Sequence, residues 1–137
     1  MIPNLVLDST PAGLLTLRRG KSADAEQCKT WVERLRNAGV NFYLPEIVDF
    51  EVRRELVRLG HSDSIQRLDL VKTASLYIPI TTESMLLAAD LWANARQLGR
   101  PTADSKELDI DVILAAQVQC LDIPKDEVIV ATATSVT

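Results

Sequence analysis

Asn4-Leu5-Val6-Leu7-Asp8-Ser9-Thr10-Pro11 is an apolar run that ends on an acid and then offers residues suited to starting a helix. Leu5 to Leu7 predict a buried strand, and Ser9, Thr10 and Pro11 can cap and open the helix behind it. Asp8 therefore stands at the carboxyl end of a strand. From there the chain alternates. Between Ser22 and Ala38, Ala25, Cys28, Trp31, Val32 and Leu35 recur at three-to-four spacing, an amphipathic helix closed by Gly39. Asn41 to Leu44 predicts a brief strand, Pro45 to Leu59 a helix ended by Gly60, Ser62 to Ala74 a further helix, and Leu76 to Ile80 a strand. Thr81 to Leu98, capped by Thr81 or Thr82, predicts a long helix with an apolar stripe of Met85, Ala88, Ala89, Trp92 and Ala93. Gly99 to Thr102 is a loop, Leu108 to Leu121 a helix, Ile123-Pro124 a turn and Glu127 to Ala131 the last strand.

Strands separated by helices of this length specify an α/β protein with a central, mainly parallel sheet covered on both faces, a three-layer α/β/α arrangement. Ligands of such sheets gather outside the carboxyl ends of the strands, where Asp8 stands.

A chain of 137 residues with 47% hydrophobic content is long enough for one cored domain and too short for two, so a single unit over 1–137 is expected. The N-terminus lacks a basic segment, and Pro3 and Asn4 break its apolar run, which predicts a cytoplasmic protein without a leader. No apolar stretch approaches the roughly 20 residues that span a bilayer. Cys28 and Cys120 are isolated, which points to core thiols rather than zinc or a disulfide framework. A net charge of −4 argues against a protein that holds nucleic acid by bulk electrostatics alone. It leaves a metal-dependent nuclease open, because bound divalent ions reverse the local sign of a carboxylate site.

Among 19 acidic residues, position singles out a few. A carboxylate closing an apolar strand is costly unless it is capped, paired or metal-bound, so Asp8 is either a helix cap or a ligand. Asp111 heads Val112-Ile113-Leu114-Ala115-Ala116 and shares a helical face with Leu114, Ala115 and Val118; it is either a helix-start acid favoured by the macrodipole or a site residue. Asp109 lies two positions earlier, about 200° around the helix, so both acids face one site only if the helix begins near Ile110. Periodicity alone does not choose Glu51 over Glu55, and Asp104 suits a turn as well as a ligand.

Four segments together resemble a PIN domain of the VapC toxin type. Leu5-Val6-Leu7-Asp8-Ser9-Thr10 is similar to the family's opening strand, and Leu44-Pro45-Glu46-Ile47-Val48-Asp49-Phe50-Glu51 to the helix with the family's glutamate. The Gly99 loop followed by Asp111-Val112-Ile113-Leu114-Ala115-Ala116 resembles the family's loop and Asp-x-Leu-Ile-Ala-Ala, and Val128-Ile129-Val130-Ala131-Thr132 its terminal strand. The resemblance implies a PIN-like fold and selects Asp8, Glu51 and Asp111, with Asp109 in support, as catalytic and metal-binding residues for Mg²⁺ or Mn²⁺. It implies hydrolysis of RNA phosphodiesters to a 5′-phosphate and a 3′-hydroxyl, the ions lowering the pKa of an attacking water and neutralising the leaving oxygen. Ser9 or Thr10 would orient a water beside the ion.

The family usually continues past this strand with a Thr-x-Asn-like segment and another acid, whereas here Ala131 is followed by Thr132-Ala133-Thr134-Ser135-Val136-Thr137. Either Thr132, Thr134 or Ser135 completes the site through water, or the chain is a shortened, weakened nuclease. The resemblance also implies an antitoxin partner and a homodimer, with no membrane. Substrate backbone contacts fall to Arg18, Arg19 and Lys21 or to Arg96 and Arg100, and Trp31 and Trp92 are expected in the core. Two rivals stand beside the nuclease: a non-catalytic PIN-like module that binds a protein or nucleic acid, and a receiver or small phosphatase, for which Lys125 is the available late lysine.

Overall fold

Leu5, Val6 and Leu7 are buried on both sides, as an inner strand of a parallel sheet requires, and form β1 (Asn4–Leu7). The computed structural model describes residues 3–99 and 105–132. β1 pairs in parallel with β2 (Asn41–Pro45) on one side and with β4 (Val128–Ala131) on the other; β3 (Leu76–Ile78) adds to β2, giving the order β3-β2-β1-β4. The chain therefore builds outward from β1 and then returns to β1's other edge. A receiver would need the order 2-1-3-4-5, so the receiver half of that rival is overturned. Lys125 instead lies in a 3-10 turn (Lys125–Glu127) leading into β4.

Helices cover the sheet: α1 (Ser9–Leu15), α2 (Ala23–Asn37), α3 (Glu46–Leu59), α4 (Ser62–Ala74), α5 (Thr82–Gln97) and α6 (Ser105–Gln119). α1 packs on α2, α3 and α4, while α5 packs on α6 and α3 joins the two groups. The helix starts follow the expected chemistry. The Ser22 hydroxyl accepts from the Ala25 N–H at 3.0 Å, and Thr81 and Ser84 form a reciprocal capping box. Pro45 closes β2 and caps α3 rather than opening the helix. Leu7, Leu44, Val48 and Leu68 are fully enclosed, each contributing about 1.5–3 kcal/mol by leaving water.

Two polar devices hold the helices to the sheet. The buried Gln117 of α6 accepts from the Ile47 N–H at 3.1 Å and donates to the Ile78 carbonyl at 2.8 Å, tying α6 to the start of α3 and the end of β3. Arg53 makes a two-pronged pair with the buried Asp49 at 2.9 Å and reaches Asp69 of α4 at 2.8 Å.

Three expectations are corrected. Trp92 is 37% exposed and Met85 43%, so the stripe on α5 is not closed into the core. Its neighbour α6 covers only part of that face, which leaves Trp92 lining an open groove. The apolar spacing of Val48, Val52, Leu56 and Leu59 predicts one stripe along α3, but Leu59 is 50% exposed because it lies in the last turn beyond the core contacts. α6 already runs helical from Ser105, ahead of the expected Leu108. Arg100, Asp104, Thr134 and Ser135 lie outside the described residues.

Candidate functional site

The reversal of strand order falls between β1 and β4, which makes their carboxyl ends the crevice of this sheet. Asp8 enters it directly. Its N–H donates to the carbonyl of Ala131, the last residue of β4, at 3.0 Å. Its backbone stays extended (φ −84°, ψ 175°), so the alternation of β1 continues by one residue. Leu7 lines a cleft between α2 and α4, and Asp8 therefore faces the opposite side of the sheet. One carboxylate oxygen of Asp8 accepts from the Ser9 N–H at 2.7 Å and caps α1. The capping role and the site role coexist, since a carboxylate has a second oxygen to offer.

Asp111 comes to the same place from α6. Partial burial raises its carboxyl pKa, and the negative charges of Asp8 and then Glu107 raise it further. Glu107 stands one helical turn before Asp111, on the same face. Like charges are thus gathered at the strand ends. Sequence reasoning missed Glu107; its i,i+4 spacing to Asp111 was the available signal.

Glu51 is half-buried in the second turn of α3, the helix that packs against both α1 and α6. The charges acting on Asp111 are those of Asp8 and Glu107, and Glu51 does not join them. Asp109 is placed elsewhere. With α6 helical from Ser105, it lies about 200° from Asp111, and it lines the groove between α5 and α6 with Met85, Ala88, Trp92 and Ile113. The helix start near Ile110 that would have brought both acids to one site does not occur.

The donor set fits a divalent cation of the hard, oxygen-seeking kind. Mg²⁺ is commonly held by one or two carboxylates, with waters and substrate phosphate filling the other positions. Among the described residues no three His, Cys, Asp or Glu side chains form a ready cluster. The geometry is accordingly an open pair, Asp8 with Asp111, flanked by Glu107.

An all-parallel sheet of this order with an acid closing β1 defines a PIN-like α/β fold. Two solved structures share it. VapBC2 from Rickettsia felis, bound to a DNA fragment from its promoter, superposes with a TM-score of 0.63 at 13% identity, over 84% of this chain and 83% of that one. VapC20 of Mycobacterium tuberculosis, a toxin that cleaves the sarcin-ricin loop, superposes with a TM-score of 0.58 at 15% identity, over 84% and 81%. No family model matches the sequence, and no curated protein matches it either.

Proposed function

We propose that the protein is a metal-dependent endoribonuclease of the PIN type, the toxin of a toxin-antitoxin pair. The observation that carries this is the nearness of Asp8 and Asp111 at the switch point of the sheet, where burial and then the charge of Asp8 raise the Asp111 carboxyl. Repulsion of this kind is retained where a cation is to be bound. Asp8 and Asp111 would hold Mg²⁺ or Mn²⁺, with Glu51 entering from α3 and Glu107 contributing negative charge. Asp109 would act only indirectly, through the packing of α6 on α5. The bound ion would supply a polarised phosphate and an activated water. This chain's own residues fix the remainder: the Ser9 N–H and α1 hold the Asp8 carboxylate in place, and Gln117 holds α6, and with it Asp111, against the sheet.

The antitoxin part of the proposal is supported by the apolar cleft between α2 and α4, about 270 Å³, lined by Leu7, Leu15, Val32, Phe42 and Val71. Its shape and chemistry suit the apolar face of a partner helix. The exposed apolar side chains of α5, Met85, Leu86 and Trp92, support pairing of two copies. Among the described residues no helix is long and apolar enough to cross a membrane.

The test is calorimetric titration with Mn²⁺ and Mg²⁺, paired with cleavage of a structured RNA. The unaltered chain should bind and cut, and Asp8→Asn with Asp111→Asn should do neither. Equal behaviour of both proteins would make the acids structural and leave the non-catalytic interaction module as the function.

A further inference from the structure

The sequence offers two sets of cations for substrate, and the structure separates them. Arg96 stacks over the ring of Trp92 at 5.3 Å, and Arg19 pairs with Glu33 at 3.4 Å. Arg18 and Lys21 behave differently. The Lys21 N–H donates to the Arg18 carbonyl at 3.2 Å, closing a four-residue turn with Gly20 at φ 79°. A turn of this kind brings its first and last residues side by side, and its positive φ is one that glycine adopts without strain. Arg18 and Lys21 make no ion pair among the described residues. Both line a polar cavity of about 400 Å³ whose other wall is Gly60 to Ser64 and Arg67 of α4.

Arg67 is fixed in that wall: it donates to the Thr16 carbonyl at 2.5 Å and to the Ser64 hydroxyl at 3.2 Å. Asp63 is the one carboxylate among the lining residues, against the three cations Arg18, Lys21 and Arg67, a local excess of two positive charges. In a chain of net charge −4 this is a reversal of sign confined to a concave surface, which concentrates field lines on an anion. The cavity sits beyond the far end of α1 from Asp8. A seven-residue helix separates them, about 10 Å of rise.

We infer that this cavity is a phosphate subsite that holds the backbone of the RNA strand a few nucleotides from the bond cut at Asp8 and Asp111. The inference rests on the ribonuclease proposal for its substrate class. Arg18 and Lys21 grip a phosphate from the turn, and Arg67 supports it from the helix wall. The contacts are to backbone and carry no base specificity.

His61, the sole histidine of the chain, lines the same cavity, so its imidazole proton signals report occupancy without assignment. The experiment uses the full chain in EDTA, where no cleavage occurs, with an end-labelled single-stranded oligouridylate and, separately, inorganic phosphate. Binding of the oligonucleotide should shift the His61 signals. Arg18→Ala with Lys21→Ala should weaken it roughly tenfold at about 0.15 M salt and reduce the salt slope by about 0.7. Gly20→Ala, which strains the turn while leaving every charge in place, should weaken it in the same direction; circular dichroism checks that each variant is folded. An unmoved His61 signal, or equal affinity in the double variant, overturns the inference. So does a His61 shift with inorganic phosphate but none with the oligonucleotide, which would make this a site for a free phosphate ligand. Binding through this cavity without cleavage on adding Mn²⁺ would sink the nuclease proposal and leave the subsite standing.

Discussion

Asp111→Asn should stabilise the metal-free protein and abolish its stabilisation by metal. In the folded state the Asp111 carboxyl is raised above its ordinary 3.8 by burial and by the charges of Asp8 and Glu107. A raised folded pKa means that protonation favours the fold: the contribution is present below the ordinary value and is lost as pH rises through the raised one. At neutral pH the repulsion is therefore fully expressed, and removing one charge relieves it. Because Asp111 is only partly buried and still largely exposed, the gain is a few tenths of a kcal/mol, or about 1 °C in Tm for a chain of this length. The unaltered protein should respond to Mn²⁺ in the opposite sense. At about ten times Kd, one bound ion adds about 1.4 kcal/mol, or roughly 5 °C. Thermal unfolding of both proteins, with EDTA and with Mn²⁺, reads the two effects together, and the variant's advantage in EDTA should fade as pH falls towards 4. A variant that melts below the unaltered chain in EDTA at neutral pH, or that keeps the full rise with Mn²⁺, would refute both the repulsion and the site.

Three further outcomes concern the frame. Gln117→Leu leaves the buried Ile47 N–H and Ile78 carbonyl without partners and should cost about 2–4 kcal/mol in urea unfolding; a loss under about 0.5 kcal/mol would mean that water replaces it. Arg53→Ala strands the Asp49 carboxylate, whose side chain is only 10% exposed, and should cost about 2–3 kcal/mol. Asp49→Asn in the same chain should recover part of that loss, and an additive double variant would show the pair to be uncoupled. Burial pushes the Cys28 thiol up to about 11, so iodoacetamide at neutral pH should modify Cys120 first and reach Cys28 only with unfolding. Equal rates would place Cys28 at the surface.

What the sequence made legible was what local rules govern. Ser62 and Ala74 bound α4 as the pattern predicts, and Gly39 and Gly60 follow α2 and α3 with positive φ where the apolar periodicity stops. Asp8 was legible as the acid that closes β1, because an apolar run ending on an acid is a local pattern. Asp109 and Trp92 were not, because each depends on how α5 and α6 lie against one another. A stripe of apolar residues shows that a helix has a greasy face; it does not show how much of that face a neighbour covers. Gln117 was invisible for the same reason, since its two partners come from segments 70 and 39 residues away in the chain.

The acidic pair and the cationic turn belong to a single arrangement, with α1 as its ruler. α1 begins at the Asp8 cap and ends shortly before the Arg18–Lys21 turn. Thr16 closes its last turn by donating to the Gly13 carbonyl, and the Thr16 carbonyl in turn receives Arg67 from α4. A displacement of α1 would therefore move the carboxylate and the cations together. On the proposed ribonuclease reading that rigidity would matter, because a strand gripped at one end of the helix would present a defined bond at the other. It would also explain how the proposed ribonuclease, with a net charge of −4, takes a polyanion: the attraction need not come from the whole surface, only from one cavity set at a fixed distance from a pair of acids that a cation would neutralise.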